Sequence, residues 1–363
     1  MSSSKLLYFS TTKFDGKSAN EVHVIKMCNA LNKFCDIKLF GIYQGKESSE
    51  ITNEHGVDNI NISLFKYSSN LFYYFWCFFQ LLMSAGVVYS RSVIIGFFST
   101  ILNKKTIVEL HYLPLKESYS HKILSFLARN KKIAFVCITD ALKVDFVEYY
   151  TPKSKNVYVM PDAADFPSTR EKYIKSDRLI VGYVGSFNKG KGVDLILKVA
   201  KDLSGVDFHL VGGSDDQIRE LKEQFGSLEN VVFHGRKRSK DVSGYINSFD
   251  VCLLPNSKKV FTHGDHSQTL DIGKYTSPLK LFEYMAHKKV ILCSKLSVLE
   301  EVISNSSVYF FDSDSASSMK ENLLIALNDK SSSEVANNSY NLFKENYTWE
   351  KRAGKILRLV KNV

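Results

Sequence analysis

The sequence has no paired-cysteine motif and no segment typical of a secretion signal. Its six cysteines show no C-x-x-C spacing and lie mostly in apolar runs. This pattern argues against a zinc or disulfide framework and predicts reduced core residues, as in a reducing cytosol. The first apolar run, KLLYFS, is too short for a signal peptide, so we expect no secretion. The sequence also has no internal repeat.

Length and charge narrow the class of protein further. A chain of 363 residues is about twice a typical domain, and its 44% hydrophobic content can fill two cores. The formal net charge of +10 predicts an anionic partner. That partner could be a nucleotide, a nucleic acid or an anionic membrane surface, and charge alone does not distinguish them.

One segment, residues 64–102, is unusually rich in aromatic and aliphatic side chains. Within it, residues 71–88 approach the length of a membrane-spanning helix, but Gln80, Ser84 and Gly86 interrupt the run. We therefore favour a helix with a very apolar face that is either buried or docked on a membrane surface. Anionic lipids would favour docking through nearby basic residues, which are Lys104, Lys105, Lys116, Lys122, Arg129, Lys131 and Lys132.

Short apolar runs alternate with helical patterns along the chain, which predicts an α/β fold with parallel sheets and crossover helices. KLLYFS, DIKLFGI, GVVYS, TIVELH, AFVCIT and VYVM are predicted strands of a first domain. After the polar linker PSTREKYIKSDR, a second set follows: LIVGYVGS, VDFHLVG, VVFHG, DVCLLP, KVILCS and SSVYFF. Ligands of such sheets bind at the carboxyl ends of strands, and the cleft between the domains is the expected site.

The stretch from Tyr275 to Glu301 carries the strongest chemical signal. Pro278 suits a first helical turn, Ser277 before it can cap free amides, and Lys280 and Glu283 share one helix face. The free amides, the positive end of the helix dipole and the Lys280 ammonium together suit a phosphate. The Glu283 carboxylate can accept hydrogen bonds from a ribose or hexose. The alternative is an ordinary capped helix with an ion pair three residues apart.

SPLKLFEYMA, followed by a strand and the turn SVLEE, resembles the donor-site block of family-four glycosyltransferases. Further matches recur in order at residues 17–27, 88–91, 109–114, 161–165, 182–192, 208–213 and 347–353. The resemblance implies a GT-B fold of two Rossmann-like domains facing across a central cleft. We expect an acceptor domain at 1–167, a nucleotide-sugar donor domain at 168–345, and a C-terminal helix at 346–363 returning toward the first domain.

The resemblance also assigns residues to the donor. The family's pair of glutamates eight residues apart is reduced here to Glu283, because Tyr275 stands at the first position. Lys191 matches the diphosphate-binding lysine, and Ser186 stands where the family often has an arginine. The expected donor-binding residues are Gly16, Gly185, Ser186, Lys191, Ser277, Pro278, Leu279, Lys280 and Glu283. A solvated loop is the alternative for Lys191, and an ordinary turn is the alternative for Gly16.

The acceptor side is assigned to the ends of the first domain's strands. By resemblance His111 contacts the transferred sugar, although a structural histidine is the alternative. Arg91 could bind an acceptor phosphate or pair with Glu109. Ser18 and Asn20 are expected beside the acceptor. The catalytic set implied by the resemblance is His111, Lys191, Lys280 and Glu283.

We predict no metal site and no cofactor. Asp312-Ser313-Asp314 has the D-x-D spacing of metal-dependent glycosyltransferases, and Asp215-Asp216 is a carboxylate pair, but both precede predicted helices and are expected to serve as caps. His263, Asp265 and His266 could hold a metal, contact substrate or simply lie in a solvated loop. A glycosidase would need two carboxylates across the scissile bond, and the sequence offers no convincing pair.

The resemblance implies a retaining, metal-independent glycosyltransferase that moves a hexose from a UDP- or GDP-sugar onto a glycan or lipid-linked glycan. We expect a role in cell-surface polysaccharide biosynthesis of O-antigen or capsule type. The protein is expected in the cytoplasm, with peripheral contact to the inner face of the membrane, and without nucleic acid. The alternatives are a nucleotide-sugar epimerase of the same fold and an inactive binding protein, which the Tyr275 departure would suit.

Overall fold

The computed structural model describes residues 5–16, 18–57, 60–66, 69–153, 155–260 and 273–362. The chain divides into two compact units. One consists of Met1–Asp162 with Trp349–Val363, and the other of Ala163–Thr348. The sequence put the two boundaries after residues 167 and 345, within a few residues of this division. The last helix belongs to the first unit.

The first unit contains a seven-stranded parallel sheet with the strand order β3-β2-β1-β4-β5-β6-β7. Its strands are β1 Lys5–Phe14, β2 Asp36–Tyr43, β3 Asn61–Lys66, β4 Val87–Ser90, β5 Thr106–Leu110, β6 Ile133–Cys137 and β7 Val157–Val159. Its helices are α1 Ala19–Asn32, α2 Ser48–His55, α3 Asn70–Met83, α4 Val93–Ile101, α5 Tyr119–Ala128, α6 Asp140–Tyr150 and, from the chain end, α14 Trp349–Asn362.

Strand order in this sheet reverses between β1 and β4, which is the point where doubly wound sheets bind ligands. Strands β5 and β6 are buried along their whole length, because helices cover both faces of a parallel sheet. The sequence TIVEL of β5 is apolar or small apart from Glu109. A buried carboxylate in such a strand needs specific partners.

The second unit contains a six-stranded parallel sheet with the order β10-β9-β8-β11-β12-β13. Its strands are β8 Ile180–Val184, β9 Asp207–Val211, β10 Val231–Gly235, β11 Val251–Leu254, β12 Val290–Lys295 and β13 Tyr309–Asp312. Its helices are α7 Val193–Asp202, α8 Asp215–Phe225, α9 Val242–Ser248, α10 Leu279–Ala286, α11 Ser297–Glu300, α12 Ala316–Asn328 and α13 Ser332–Asn346. Short 3-10 turns precede α9 and α10. This sheet reverses between β8 and β11.

The apolar segment forms two short helices around a strand. Helix α3 ends at Met83, β4 follows at Val87, and α4 begins at Val93. Among the described residues, no helix is both long and apolar enough to cross a bilayer. All six cysteines are buried and unpaired, which confirms the expectation that they are core residues.

Two expectations about helix caps were wrong. Helix α8 begins at Asp215, and its cap is Ser214, which forms a capping box with Gln217. Helix α12 is capped by Ser315, whose hydroxyl accepts a hydrogen bond from the amide of Ser318. A serine directly before the first helical residue reaches the free amides better than the neighbouring aspartates do.

Candidate active site

The first-unit residues assigned by sequence lie after β1, β4 and β5, which are adjacent in the sheet. Gly16, Ser18 and Asn20 follow β1, Arg91 follows β4, and His111 follows β5. Neighbouring parallel strands end at one edge, so these predicted residues are brought close together.

The loop after β1 is held by a buried carboxylate. Glu21 Oε2 accepts hydrogen bonds from the amides of Asp15 at 3.0 Å and Gly16 at 2.7 Å. Its other oxygen lies 2.9 Å from Nε2 of the buried His55. Ser18 is the N-cap of α1, with its hydroxyl accepting from the Glu21 amide at 3.1 Å. Gly16 adopts a φ of +77°, which favours glycine.

Arg91 contacts two of the other predicted residues, Asn20 and His111. Its Nη2 donates to Asn20 Oδ1 at 3.2 Å and to His111 Nδ1 at 3.3 Å. Its Nε lies 3.4 Å from Glu109 Oε1, so the ion pair that the sequence left open is present. Because His111 Nδ1 accepts from arginine and its Nε2 donates to Glu109 Oε1 at 2.6 Å, the imidazole is a neutral Nε2–H tautomer. Burial, followed by Arg91, lowers the pKa of His111 to about 4.

Glu109 is the centre of a buried polar cluster. Its Oε2 accepts from Arg352 Nη2 at 2.7 Å and from the Tyr89 hydroxyl. His23 lies between two carboxylates, with Nε2 3.2 Å from Glu109 and Nδ1 2.9 Å from Asp162. Burial alone would raise the pKa of Glu109, but Arg352 and His23 hold it well below its usual range. The carboxylate is therefore ionised at neutral pH.

His23, Glu109 and His111 present ligand atoms within 4.8 Å of one another and could geometrically hold a metal ion. The charges around them oppose a divalent cation, because Arg91 and Arg352 already face Glu109. That the enzyme works without a metal ion stays a prediction. The other candidate cluster, His263, Asp265 and His266, lies outside the described residues.

In the second unit, the predicted donor residues Gly185, Ser186 and Lys280 lie together at the end of β8. Lys280 Nζ donates a hydrogen bond to the Tyr183 hydroxyl at 2.7 Å and lies 4.2 Å from the centre of that ring. The Tyr183 hydroxyl donates to the carbonyl of Ser186 at 2.8 Å. Gly185 has a φ of +151°, and a Cβ there would lie 2.6 Å from Lys280 Nζ. A side chain at this position would have to displace the Lys280 amine from its present place.

Lys191 lies in the loop before α7, and its amide donates to the carbonyl of Asn188 at 3.0 Å. Burial lowers the pKa of Lys191 to about 8. Burial also lowers the pKa of Lys280 well below its usual value; Lys191 adds to this effect, and Glu283 opposes it. Two amines whose pKa values are lowered at one site would both gain from a bound anion.

Helix α10 begins at Leu279, as the sequence predicted, but its cap is one residue later than expected. Pro278 occupies the N-cap with an extended ψ of 117°, so Leu279 is the first helical residue and Ser277 lies one position before the cap. Glu283 follows one turn after Leu279, and its carbonyl accepts from the ring of His287 at 2.7 Å. Tyr275 ends the 3-10 turn that precedes this helix. The predicted helix start is therefore present with a shifted cap.

Sequence reasoning missed three groups that hold the predicted residues in place. Tyr183 contacts Lys280, Glu21 holds the Gly16 loop, and Arg352 reaches Glu109 from the C-terminal helix. The sequence contains one usable signal, because Glu109 is a charged residue inside the otherwise apolar or small pattern TIVEL. In the D-x-D segment, Asp314 adopts a left-handed φ of +66°, and its carboxylate accepts a hydrogen bond from the backbone amide of Lys258 at 3.4 Å.

Two parallel sheets flanked by helices, in two units, define the GT-B glycosyltransferase fold. Crystal structures of Anabaena HepE with UDP and glucose, and of a Rickettsia africae glycosyltransferase, share it with TM-scores of 0.75 and 0.76. They are 15% and 14% identical to this chain, cover 99% of it, and are themselves covered over 100% and 98%. WaaG, a glycosyltransferase involved in lipopolysaccharide biosynthesis, has a TM-score of 0.68 at 14% identity, over 99% of this chain and 100% of WaaG.

Residues 165–342 match the sequence profile of the family Glycosyl transferases group 1. The second unit of this chain therefore belongs to that family, and the chain carries a glycosyltransferase domain. The family and fold that the sequence resemblance implied are confirmed.

Two curated relatives match parts of the chain. An uncharacterized 41.2 kDa protein in the cps region of Klebsiella pneumoniae is 32% identical over 93 residues, which are 25% of each chain. An uncharacterized glycosyltransferase of Methanocaldococcus jannaschii is 22% identical over 173 residues, 47% of this chain and 44% of the relative. The matches thus span less than half the length of either relative.

Proposed function

We propose that this protein is a retaining glycosyltransferase that moves a hexose from a UDP- or GDP-sugar onto a glycan acceptor, without a metal ion. The observation that carries the proposal is the pair of lysines, Lys191 and Lys280, at the end of β8 in the unit that matches the family. Two amines and the start of helix α10 suit the diphosphate of such a donor.

The cellular role we propose is the synthesis of a cell-surface polysaccharide, of O-antigen or capsule type. HepE binds UDP and glucose, and WaaG acts in lipopolysaccharide biosynthesis, which supports a nucleotide-sugar donor and a glycan product. The partial relative in the Klebsiella pneumoniae cps region points to the same kind of product.

In the proposed reaction, the bond between the sugar's anomeric carbon and the diphosphate breaks, and its electron pair stays on the diphosphate. The acceptor hydroxyl attacks the anomeric carbon from the same face, and its proton passes to an oxygen of the departing diphosphate. The protein then needs no nucleophile of its own. Its task is to orient the substrates and to stabilise the charge that grows on the leaving group, which Lys191 and Lys280 would do. Glu283 would bind a hydroxyl of the donor.

We assign the acceptor to the edge of the first unit formed by Ser18, Asn20, Arg91 and His111. With Nε2–H donating to Glu109, His111 offers Nδ1 as a hydrogen-bond acceptor for a sugar hydroxyl. Arg91 now donates a hydrogen bond to that nitrogen. If Arg91 instead bound an anionic group of the acceptor, Nδ1 would become available to the sugar hydroxyl.

The first unit also carries an exposed apolar surface that suits a membrane-bound acceptor. Helix α3 contains no charged residue, and it buries Tyr73, Cys77 and Leu81 on one side. The opposite side exposes an apolar stripe, the α3 face, formed by Leu71, Phe72, Phe75, Phe79, Leu82 and Met83. Phe75 is 62% exposed and Phe79 is 54% exposed, where a helix in contact with water would carry polar residues.

Ring contacts extend this apolar surface across α4 to α5. Phe78 contacts Phe98, and Phe97 contacts Phe126 with ring centres 5.4 Å apart. Phe126 is exposed between Lys122 and Arg129, which are one turn away on either side and also exposed. Aromatic side chains flanked by cations suit the headgroup region of an anionic bilayer. We therefore propose a cytoplasmic protein that docks peripherally on the membrane through the α3 face.

Nucleotide binding tests the donor assignment. In a thermal-shift screen of UDP, GDP and their hexose derivatives, at least one nucleotide should raise the melting temperature of the wild type. The Lys280→Ala variant should lose that shift while keeping the melting temperature of the free protein within a few degrees. A wild type that responds to none of these nucleotides would contradict the proposal.

A further inference from the structure

The environment of Lys280 is unusual for a partly buried cation. Its amine has the Tyr183 hydroxyl as hydrogen-bond partner and the Tyr183 ring beneath it. Within the described ranges, no carboxylate lies at salt-bridge distance from Lys280 or Lys191. Ammonium groups that are partly withdrawn from water gain from a negatively charged partner, so two half-buried amines at one site favour the binding of an anion.

Three groups determine the charge of the Lys280 amine. Tyr183 of β8 provides a neutral hydroxyl, Lys191 opposes the charge, and Glu283 on the same helix favours it. Burial of both amines disfavours full protonation of the pair, and the pKa of Lys191 is about 8. In the absence of ligand, the two amines therefore do not hold two full positive charges at slightly alkaline pH.

We propose that binding of a nucleoside diphosphate at this site is coupled to the uptake of a proton by the pair Lys191 and Lys280, and that Tyr183 is the positioning residue of the Lys280 amine. This inference rests on the proposed function, because it concerns the same donor site. The bound diphosphate supplies the negative charge that the pair lacks, so both amines become protonated. They would then stay charged while negative charge grows on the leaving group.

The direction of the pH dependence follows from this coupling. The amines have lower pKa values in the free protein than in the complex, so the complex holds more protons. Affinity for UDP should therefore be highest below the pKa of the free site and should fall as pH rises through about 8, by at most about tenfold per pH unit for each proton. Measurements between pH 7 and 9 avoid titration of the terminal phosphate, whose pKa is about 6.

Isothermal titration calorimetry of the full chain with UDP, and then with GDP, measures proton uptake directly. Titrations at pH 8 in two buffers with different ionisation enthalpies should give different apparent binding enthalpies, with a slope that reports net uptake. Equal enthalpies in both buffers, with clear binding, would overturn the coupling. The Lys280→Met variant should bind more weakly and show less uptake.

Two tyrosine variants test the role of Tyr183. Tyr183→Phe removes the hydroxyl from Lys280 and should weaken UDP binding about tenfold, since a hydrogen bond to a charged group is lost. Tyr284→Phe is the matched control, because its hydroxyl also joins α10 to β8, accepting from the amide of Val184 at 2.9 Å, without contacting Lys280. The control should keep wild-type affinity.

Equal affinities of Tyr183→Phe and wild type would overturn the positioning role, whatever the melting temperatures of the variants. A wild type that binds neither UDP nor GDP would instead overturn the proposed function, and this inference with it. The binding isotherm of the wild type thus separates the two failures.

Discussion

Arg352 and Glu109 form a buried ion pair, with Nη2 of the arginine 2.7 Å from Oε2 of the glutamate. The same guanidinium donates through Nε to the carbonyl of Pro161 at 2.9 Å. Through this pair the C-terminal helix reaches the strand end that carries His111, whose ring donates to the other oxygen of Glu109. The first turn of the C-terminal helix therefore helps to fix a predicted catalytic residue.

We expect Arg352→Met to destabilise the protein by about 3–5 kcal/mol, because it leaves the buried Glu109 without its main counter-ion. Arg358→Met, an exposed position on the same helix, is the control and should change the free energy of unfolding by less than about 0.5 kcal/mol. Urea unfolding followed by circular dichroism measures both. Equal effects of the two substitutions would show that the ion pair contributes nothing.

Glu109 should also make stability depend on pH. Its pKa is held well below the usual range in the folded state, so its contribution is full above the unfolded value of about 4.3 and is lost as pH falls through the folded value. Glu109→Gln should therefore cost most at pH 7, and the difference from wild type should shrink below about pH 4. A difference that is constant from pH 7 to pH 3 would refute an ionised Glu109.

Lys191→Ala and Lys280→Ala should each remain folded and lose about a hundredfold or more in transfer, about 3 kcal/mol in the transition state. Each variant removes a cation from the charge that grows on the leaving diphosphate. Lys198→Ala, which removes an exposed lysine of α7, is the control and should retain wild-type turnover. Initial rates at saturating donor measure the effect. Wild-type turnover in both site variants would remove the basis for the donor assignment.

Docking through the α3 face predicts binding to anionic liposomes that weakens with salt. Phe75→Ser with Phe79→Ser should reduce the fraction that sediments with vesicles at low ionic strength. The control is Ile325→Ser, which replaces an apolar residue of the second unit that is 55% exposed. Equal recovery of wild type in the supernatant with neutral and anionic vesicles would contradict membrane docking.

Periodicity predicted most strands of both sheets because their apolar runs are buried on both faces, as in TIVEL and IAFVC. It missed β3, whose residues are half-buried or exposed, so that NISLFK carries no clear apolar pattern. It also missed α4, because VIIGFFSTI belongs to one long apolar segment in which helix and strand are hard to distinguish.

The candidate site was predictable where neighbours in sequence share a motif, as at Lys280 and Glu283. Contacts between distant residues were not, because no local pattern relates Tyr183 to Lys280 or Glu109 to Arg352, which are 97 and 243 positions apart. These contacts depend on the strand order of each sheet. They became visible only with the fold.

The most direct test of the central claim is a transfer assay in excess EDTA with UDP- and GDP-hexoses, with and without a lipid-linked glycan acceptor. We predict that nucleoside diphosphate is released only when the acceptor is present, and that NMR of the product shows the donor's anomeric configuration retained. Donor consumption without acceptor would indicate an epimerase or a hydrolase. Inverted configuration, or activity lost in EDTA and restored by manganese, would contradict a retaining, metal-independent transferase.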